Sequence, residues 1–251
     1  MHPLSSSSLA DCGHRVSRHQ IGADHLVHGD LPDQSGQDRF VGPGAQATTG
    51  RELPTAWLIQ HKRMQAMADR EDRYLLEGKV QVDDAYLSGE RTGGKVGRGS
   101  ENKVAFVAAV SLTDENRPLR VRLTPVSGFT LKAIAVWAKF HLVPGSVVFS
   151  DGLACFGAVT AAGCSHYPTV MAGRKPKEVP EFKWINTVLG NLKTSLSGCY
   201  HAFDFRKYAA RYLAAFCYRF NRRFDLRTLH QRLLIDAAAT TPQAPALASV
   251  G

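Results

Sequence analysis

The chain has 251 residues, of which 44% are hydrophobic and 21% charged, so its length and composition suit one or two globular domains and exclude wholesale disorder. It has no run of about 18 apolar residues that could span a membrane, no basic-then-apolar secretory signal, and no C-x-x-C pair among its five scattered cysteines, so we expect reduced thiols in a cytoplasmic protein. The formal net charge of +9 favours an anionic partner, most often nucleic acid.

The ordered pattern begins near residue 54. Residues 1–53 are rich in Ser, Gly, His, Gln and Asp, and their apolar residues follow neither a helical nor a strand period. We therefore expect disorder in that segment. Over 56–76 the apolar residues take the spacing of an amphipathic helix, and we interpret 54–78 as a connecting helix.

Three predicted strands follow one another directly. Residues 79–87 alternate in part, 103–112 form a nearly continuous apolar run, and 118–126 alternate again. A Gly-rich basic loop separates the first two strands, and the sequence DEN turns the chain before the third. Three such strands can form an antiparallel meander.

Helices and strands alternate after the meander. The pattern predicts a helix over 131–143, a buried strand over 146–152, a short helix over 154–163 and a fifth strand near 167–170. Two more helices begin near residue 186 and near residue 204, and the Pro- and Ala-rich tail from 240 is expected to be disordered. Because a strand joined through a helix adds in parallel, this order predicts an α/β fold over 79–239. We expect a ribonuclease-H-like mixed sheet flanked by helices, with a C-terminal helical extension.

Two carboxylates occupy strand positions that are costly for a charge. Asp83 lies within an apolar strand, Asp151 ends another, and Asp84 follows Asp83 on the opposite face. Carboxylates from two strands can converge at one sheet edge and form a hard oxygen site for Mg²⁺ or Mn²⁺, which suits phosphodiester chemistry. The residues alone are equally compatible with Asp83 capping a turn and Asp151 beginning the following helix.

A third ligand is expected further along the chain. Asn186 lies 35 positions after Asp151, and Lys193 lies seven after Asn186, so the last two share one face of a helix. The Asn186 carbonyl oxygen can ligate Mg²⁺, and Lys193 would then hold a phosphate beside the metal. Alternatively, Asn186 is a helix N-cap, and Glu178 or Glu181 in the Lys- and Pro-rich loop is the third ligand.

Most of the positive charge lies between residues 183 and 232. This segment has ten Lys and Arg residues and two Asp residues, a net +8. Five aromatic residues from Phe205 to Phe220 recur there at helical spacing, a pattern more typical of core packing than of base stacking. The basic residues either form a solvated face or track a phosphate backbone. The predicted DNA contacts are Lys193, Arg206, Lys207, Arg211, Arg219, Arg222 and Arg223.

Six segments of this chain stand out together: VDDAYLSGE, GRGSENK, VVFSDG, WINTVLGNLKTSLSG, YHAF and RYLAAFCYRFNRRFDL. In combination they resemble one group of bacterial insertion-sequence transposases, the IS fifteen-ninety-five family, which carries an integrase-like DDE domain. Each segment alone is a weak signal, whereas their joint occurrence is quite specific. The resemblance extends from about residue 54 to residue 237.

The resemblance implies a ribonuclease-H-like fold and divalent-metal-dependent DNA strand cleavage and transfer. Some branches of the family have Asn in place of the third acidic residue, with Lys seven positions later. Carried over by position, this makes Asp83, Asp151 and Asn186 the metal triad for Mg²⁺ or Mn²⁺ and Lys193 the accompanying basic residue, with Asp84 supporting rather than ligating. The implied partners are double-stranded DNA, as insertion-sequence ends and target, and further copies of the chain in a homo-oligomer.

The N-terminal segment departs from the family pattern. Full-length relatives start with a zinc ribbon and a helix-turn-helix-like segment, which residues 1–53 do not resemble. With suitable codons, the nucleotides for residues 32–53 shifted by one base can encode LISQAKTGLSALELKRQLGVSY, which looks like the family's segment just before PTAW. We therefore expect residues 1–53 to be out of frame through a one-nucleotide indel near codon 54. Coding DNA whose other frame lacks a family-like N-terminus would contradict this hypothesis.

Three functions remain open from the sequence. The first is a transposase in which water cleaves a phosphodiester at the element's end and the resulting 3′-hydroxyl attacks target DNA. The second is a decayed, non-catalytic DNA-binding remnant whose affinity falls steeply with salt. The third, a housekeeping structure-specific nuclease, fits the basic C-terminal helices less well.

Overall fold

A mixed β-sheet with helices on both faces forms the centre of the protein. A computed structural model describes residues 20–22, 53–88, 103–169, 182–199 and 204–240. No helix within these ranges is long and apolar enough to cross a membrane. The strands are β1 (Gln20–Gly22), β2 (Lys79–Ser88), β3 (Val104–Leu112), β4 (Pro118–Pro125), β5 (Val147–Ser150) and β6 (Ser165–Pro168). The helices are α1 (Leu53–Glu71), α2 (Leu131–His141), α3 (Lys183–Cys199), α4 (Phe205–Asn221) and α5 (Leu229–Ala239), with 3₁₀ segments at Ala154–Ala162 and Leu226–Thr228.

The strand order is β4-β3-β2-β5-β6, and β1 pairs in parallel with the last three residues of β2. The β2–β3 and β3–β4 pairs are antiparallel, whereas β5 joins β2 in parallel and β6 joins β5 in parallel. The meander, the later parallel additions, the flanking helices and the C-terminal helices are all present. The fold-class prediction is therefore confirmed.

Two hydrophobic layers cover the two faces of the sheet. Residues such as Ala85 and Leu87 of β2 pack with α1, α3 and α4, and α5 joins this layer through Leu233. Val80 and Val82, whose side chains point to the opposite face of β2, pack with α2 and the 3₁₀ segment at Ala154–Ala162. This alternation follows from the period of two in a strand, so β2, buried on both faces, is the central strand.

Several element boundaries differ from those expected. Helix α1 ends at Glu71 rather than near residue 76, because the Arg122 guanidinium binds the carbonyl oxygens of Glu71 and Tyr74 after the last turn. The segment after β5 is a 3₁₀ helix that ends at Gly163, whose φ of 76° is left-handed. Helix α4 begins as predicted, with Asp204 as N-cap accepting from the Lys207 amide at 3.0 Å.

The outer edge of β4 is covered by the end of α4. The Asn221 side chain accepts from the Val121 amide at 2.8 Å and donates to the Val121 carbonyl at 3.1 Å, as a neighbouring strand would. The Arg223 guanidinium donates to the Pro118 carbonyl on the same edge. Exposed strand edges invite pairing with other chains, and these side chains occupy the donors and acceptors instead.

A buried polar junction, which we define as Glu71, Asn221 and Arg222, links α1 to α4. The Glu71 carboxylate is 2.5 Å from Arg222 Nη1 and accepts from Asn221 Nδ2 at 2.6 Å. Both side chains of the ion pair are less than a tenth exposed. The Arg222 guanidinium also stacks over the Tyr218 ring, 3.5 Å from its centroid. The junction therefore holds the last turns of two helices together with charged groups removed from water.

Candidate metal centre

The end of β5 positions three carboxylates beside β2. Ser150, the last residue of β5, pairs with Val82 of β2, so Asp151 follows where β2 continues as Asp83 and Asp84. One carboxylate oxygen from each of the three aspartates lies within 4.8 Å of the others. Asp83 and Asp84 are each 3% exposed, and Asp151 is half-buried. The strand register thus brings residues 67 positions apart into one acidic cluster.

The acidic cluster fits a hard divalent cation. Two oxygens on opposite sides of a Mg²⁺ ion lie about 4.1 Å apart, twice the usual metal–oxygen distance. The three carboxylate oxygens lie within 4.8 Å of one another, so they are near enough to share a bound divalent ion. Three buried or half-buried carboxylates are costly without a counter-charge. Mg²⁺ or Mn²⁺, which prefer oxygen ligands, would supply that charge.

Local hydrogen bonds orient two of the carboxylates. Asp83 Oδ1 accepts from the Asp84 amide at 2.9 Å, and Asp151 Oδ1 accepts from the Leu153 amide at 3.2 Å at the start of the 3₁₀ segment. The alternative that Asp151 begins the following helix is wrong, because the 3₁₀ segment begins at Ala154 with Leu153 as its N-cap. Each of these bonds uses one lone pair of a carboxylate that has about four acceptor sites.

Asp84 belongs to the acidic cluster despite facing the other side of β2. The family resemblance implied a supporting role for it, and the strand pattern placed it on the opposite face from Asp83. That alternation is present, yet β5 stops at Ser150, so no strand among the described residues pairs with Asp83 and Asp84 on this side of β2, and carboxylates from both faces come together there. Sequence reasoning missed this because it depends on where a neighbouring strand ends.

A serine–histidine pair lies next to the acidic cluster. The Ser150 hydroxyl, which is fully buried, is 2.9 Å from His166 Nε2 on β6. Burial lowers the pKa of His166, which favours the neutral imidazole in this hydrogen bond. The pair fixes the end of β5, and thus the backbone from which Asp151 projects.

Asn186 lies in the first turn of α3, which is tied to β2 by a buried hydrogen bond. The Ile185 amide donates to Gln81 Oε1 at 3.0 Å, and Gln81, 2% exposed, lies on the same face of β2 as Asp83. The alternative that Asn186 is the N-cap is wrong, because α3 begins at Lys183. In the sequence, Gln81 is a polar residue between Val80 and Val82 of an apolar strand, and that pattern could have identified it as a buried hydrogen-bonding residue.

Lys193 shares a helix face with Asn186. Both are half-buried on α3, two turns apart, whereas Leu189 and Leu192 pack into the core. Among the described residues, the acidic cluster is formed by the three aspartates, and Asn186 and Lys193 lie on the adjacent helix. The rival ligands, Glu178 and Glu181, lie outside the described residues.

The basic residues of α4 differ in their exposure. Arg206 and Lys207 are exposed. Arg211 donates to Gln65 at 3.0 Å, Arg219 donates to the Ser195 hydroxyl at 3.2 Å, and both are half-buried. Arg222 lies in the buried junction and Arg223 donates to the β4 edge, and their DNA role stays a prediction. The Arg211, Arg222 and Arg223 side chains make internal contacts because α4 packs against both α1 and β4.

The comparison with family models identifies the class of protein. The model described as the ISXO2-like transposase domain matches residues 75–221, more than half of the chain. The match includes the acidic cluster, Asn186, Lys193 and all of α4. The chain therefore belongs to this transposase family, and the family resemblance stated from its motifs is confirmed.

Structural similarity was found with a crystal structure of a pre-cleavage Mos1 transpososome. The two share 9% sequence identity with a TM-score of 0.25, over 73% of this chain and 64% of that chain. The present chain thus spans less than two thirds of that chain's length. No curated protein matches the sequence.

Proposed function

We propose that the chain catalyses metal-dependent DNA strand cleavage and transfer for an insertion sequence. The observation that carries the proposal is the convergence of Asp83, Asp84 and Asp151 within 4.8 Å at the edge of the sheet, in a chain of a transposase family. When bound, divalent ions activate the attacking oxygen and stabilise charge on the leaving oxygen of a phosphodiester. We assign the ligands to Asp83, Asp151 and Asn186, and add Asp84 as a carboxylate of the same cluster.

The protein groups then have distinct roles in two successive steps. In the first, water attacks a phosphorus atom at the element's end and the 3′ oxygen leaves. In the second, that 3′-hydroxyl attacks a phosphodiester of the target, the bond from phosphorus to one target-strand oxygen breaks, and that oxygen leaves as a hydroxyl. The buried Asp83 and Asp84 are held in place on β2 by their pairing with Ala108 and Val107 of β3. Lys193 holds a phosphate beside Asn186, and the exposed Arg206 and Lys207 contact the DNA backbone. Further copies of the chain would assemble on paired DNA ends.

The direct test is Mn²⁺- or Mg²⁺-dependent nicking of DNA that carries the element's ends. Asp151→Asn keeps the shape of the side chain and removes the charge, whereas Asp114→Asn makes the same change in an exposed turn. Changes to outer groups around metal sites cost about 10- to 100-fold, so loss of the negative charge of a direct ligand should lower nicking by more than about 100-fold. The control should keep the wild-type rate.

The opposite results also have defined meanings. Equal nicking by wild type and Asp151→Asn would show that the acidic cluster is not the catalytic centre. No nicking by any variant, together with salt-sensitive DNA binding, would indicate the alternative function, a non-catalytic DNA-binding remnant.

A further inference from the structure

A second polar site lies at the outer edge of the sheet, on β4, two strands away from the central strand that carries Asp83 and Asp84. The ends of α1 and α4 meet β4 and α5 around an open cavity of about 270 Å³. This volume is just below the roughly 300–1,000 Å³ of small-molecule pockets, so it suits a small group rather than a nucleotide cofactor. The cavity is lined by Arg70, Tyr74, Arg120, Asn221, Arg222, Arg232, Ile235 and Asp236.

Four arginines from four separate parts of the chain line this cavity, and the guanidinium of one of them, Arg222, lies in the buried junction. Within the described part of the chain, three of them have carboxylate partners: Arg70 is 3.4 Å from Asp236, Arg222 is 2.5 Å from Glu71, and Arg232 is 2.9 Å from Asp225. Arg120 has no ion pair among the described residues. Counted together with these three partners, of which Asp236 lines the cavity, the four arginines carry a surplus of one positive charge.

The Arg120 guanidinium is held in a fixed orientation. It stacks over the Tyr74 ring with its central carbon 3.9 Å from the ring centroid. Stacking occupies the flat faces of the group and leaves its five N–H donors in the plane. A planar fork of donors matches two oxygens of one phosphate, and little entropy is lost because the ring already fixes the side chain.

We propose that this arginine cavity binds a phosphodiester group of the DNA backbone, with Arg120 as its main contact. The single surplus charge matches the single negative charge of a phosphodiester. This proposal rests on the proposed function, since the DNA is the same substrate, and adds a contact remote from the reacting phosphate.

The position of Arg120 allows one duplex to reach both sites. Arg120 pairs with Ser111, which pairs with Val80, three residues before Asp83. Two strand spacings across the sheet and three residues along it separate the Cα atoms of Arg120 and Asp83 by roughly 14 Å. That separation corresponds to about four phosphates along one DNA strand.

The test measures how the DNA affinity depends on salt. A fluorescein-labelled 30-base-pair duplex is titrated with wild type, Arg120→Gln and Arg117→Gln by fluorescence anisotropy between 50 and 200 mM NaCl. Arg117 is an exposed arginine three residues earlier that does not line the cavity, so it is the matched control. Each phosphate contact contributes about 0.9 to the slope of log K against log salt, so Arg120→Gln should lower the slope by about 0.9 and Arg117→Gln should not.

A second variant covers the case in which Arg120→Gln unfolds. Arg232→Gln alters a half-exposed lining residue and should lower affinity in the same direction. Equal slopes for wild type and both cavity variants, or an equal fall for Arg117→Gln, would overturn the arginine cavity while leaving the proposed function intact. Wild type that binds no duplex would overturn both the arginine cavity and the proposed function. Metal-dependent nicking is measured on the same proteins, so that failure of the cavity alone is distinguished by nicking that persists.

Discussion

Removing the Glu71 carboxylate should destabilise the protein more than most single substitutions. Glu71 is 4% exposed and accepts hydrogen bonds from Asn221 and from Arg222, whose own side chain is 9% exposed. Glu71→Ala leaves the Arg222 charge buried without its partner. Breaking one side of a buried ion pair costs about 3–5 kcal/mol, compared with 0–1 kcal/mol for an exposed pair.

The loss can be measured by urea unfolding followed by circular dichroism, and by the melting temperature. For a domain of this size, 1 kcal/mol shifts Tm by about 2–4 °C, so Glu71→Ala should lower Tm by about 6–20 °C. Arg232→Gln is the matched control, because it breaks an ion pair whose side chains are 52% and 43% exposed. Its effect should stay below about 1 kcal/mol.

A double variant distinguishes the buried charge from simple loss of packing. Glu71→Leu with Arg222→Met replaces both charges with apolar groups of similar size, which is often neutral or stabilising for a buried pair. We expect the double variant to be more stable than either single variant. A loss below about 1 kcal/mol for Glu71→Ala, or a double variant that shows the sum of the single losses, would refute this account of the junction.

Two further predictions concern single buried groups. Gln81→Leu leaves the Ile185 amide buried without its acceptor, so urea unfolding should show a loss of about 1–3 kcal/mol, and an unchanged free energy of unfolding would contradict the link between β2 and α3. Burial, with a smaller effect of the Arg122 charge, lowers the pKa of His141 to about 4 from its ordinary 6.5. Because the unfolded chain binds a proton at higher pH, stability is lost as the pH falls from 6.5 towards 4, and His141→Gln should lose about 2 kcal/mol less than wild type between pH 7 and 5. Equal losses in the two proteins would show that His141 does not titrate in this way.

The central strands and two members of the acidic cluster could be predicted from local pattern. Strands β2, β3 and β4 lie within one residue of their predicted bounds, because long apolar or alternating runs between turn residues are typical of buried or half-buried strands. Asp83 and Asp151 stood out since a charge in a core strand is costly without a role.

The remaining features depend on contacts between distant parts of the chain. Arg222 and Arg206 look alike in sequence, and only the arrival of Glu71 from α1 distinguishes a buried structural cation from an exposed one. Likewise, Arg70, Arg120 and Arg232 lie on three separate elements, so no local pattern predicts that they share a cavity. Helix propensity also could not predict the end of α1, which is set by Arg122 from β4.

The side-chain cover on β4 has a consequence for synthesis on the ribosome. Asn221 follows Val121 by 100 residues, so translation at about 5–20 residues per second leaves the β4 edge uncovered for roughly 5–20 s. During that interval the nascent sheet presents unpaired amides and carbonyls that a second nascent chain could match. Chaperone demand should therefore be greatest before α4 emerges, and truncation just before Asn221 should convert a soluble product into an aggregating one.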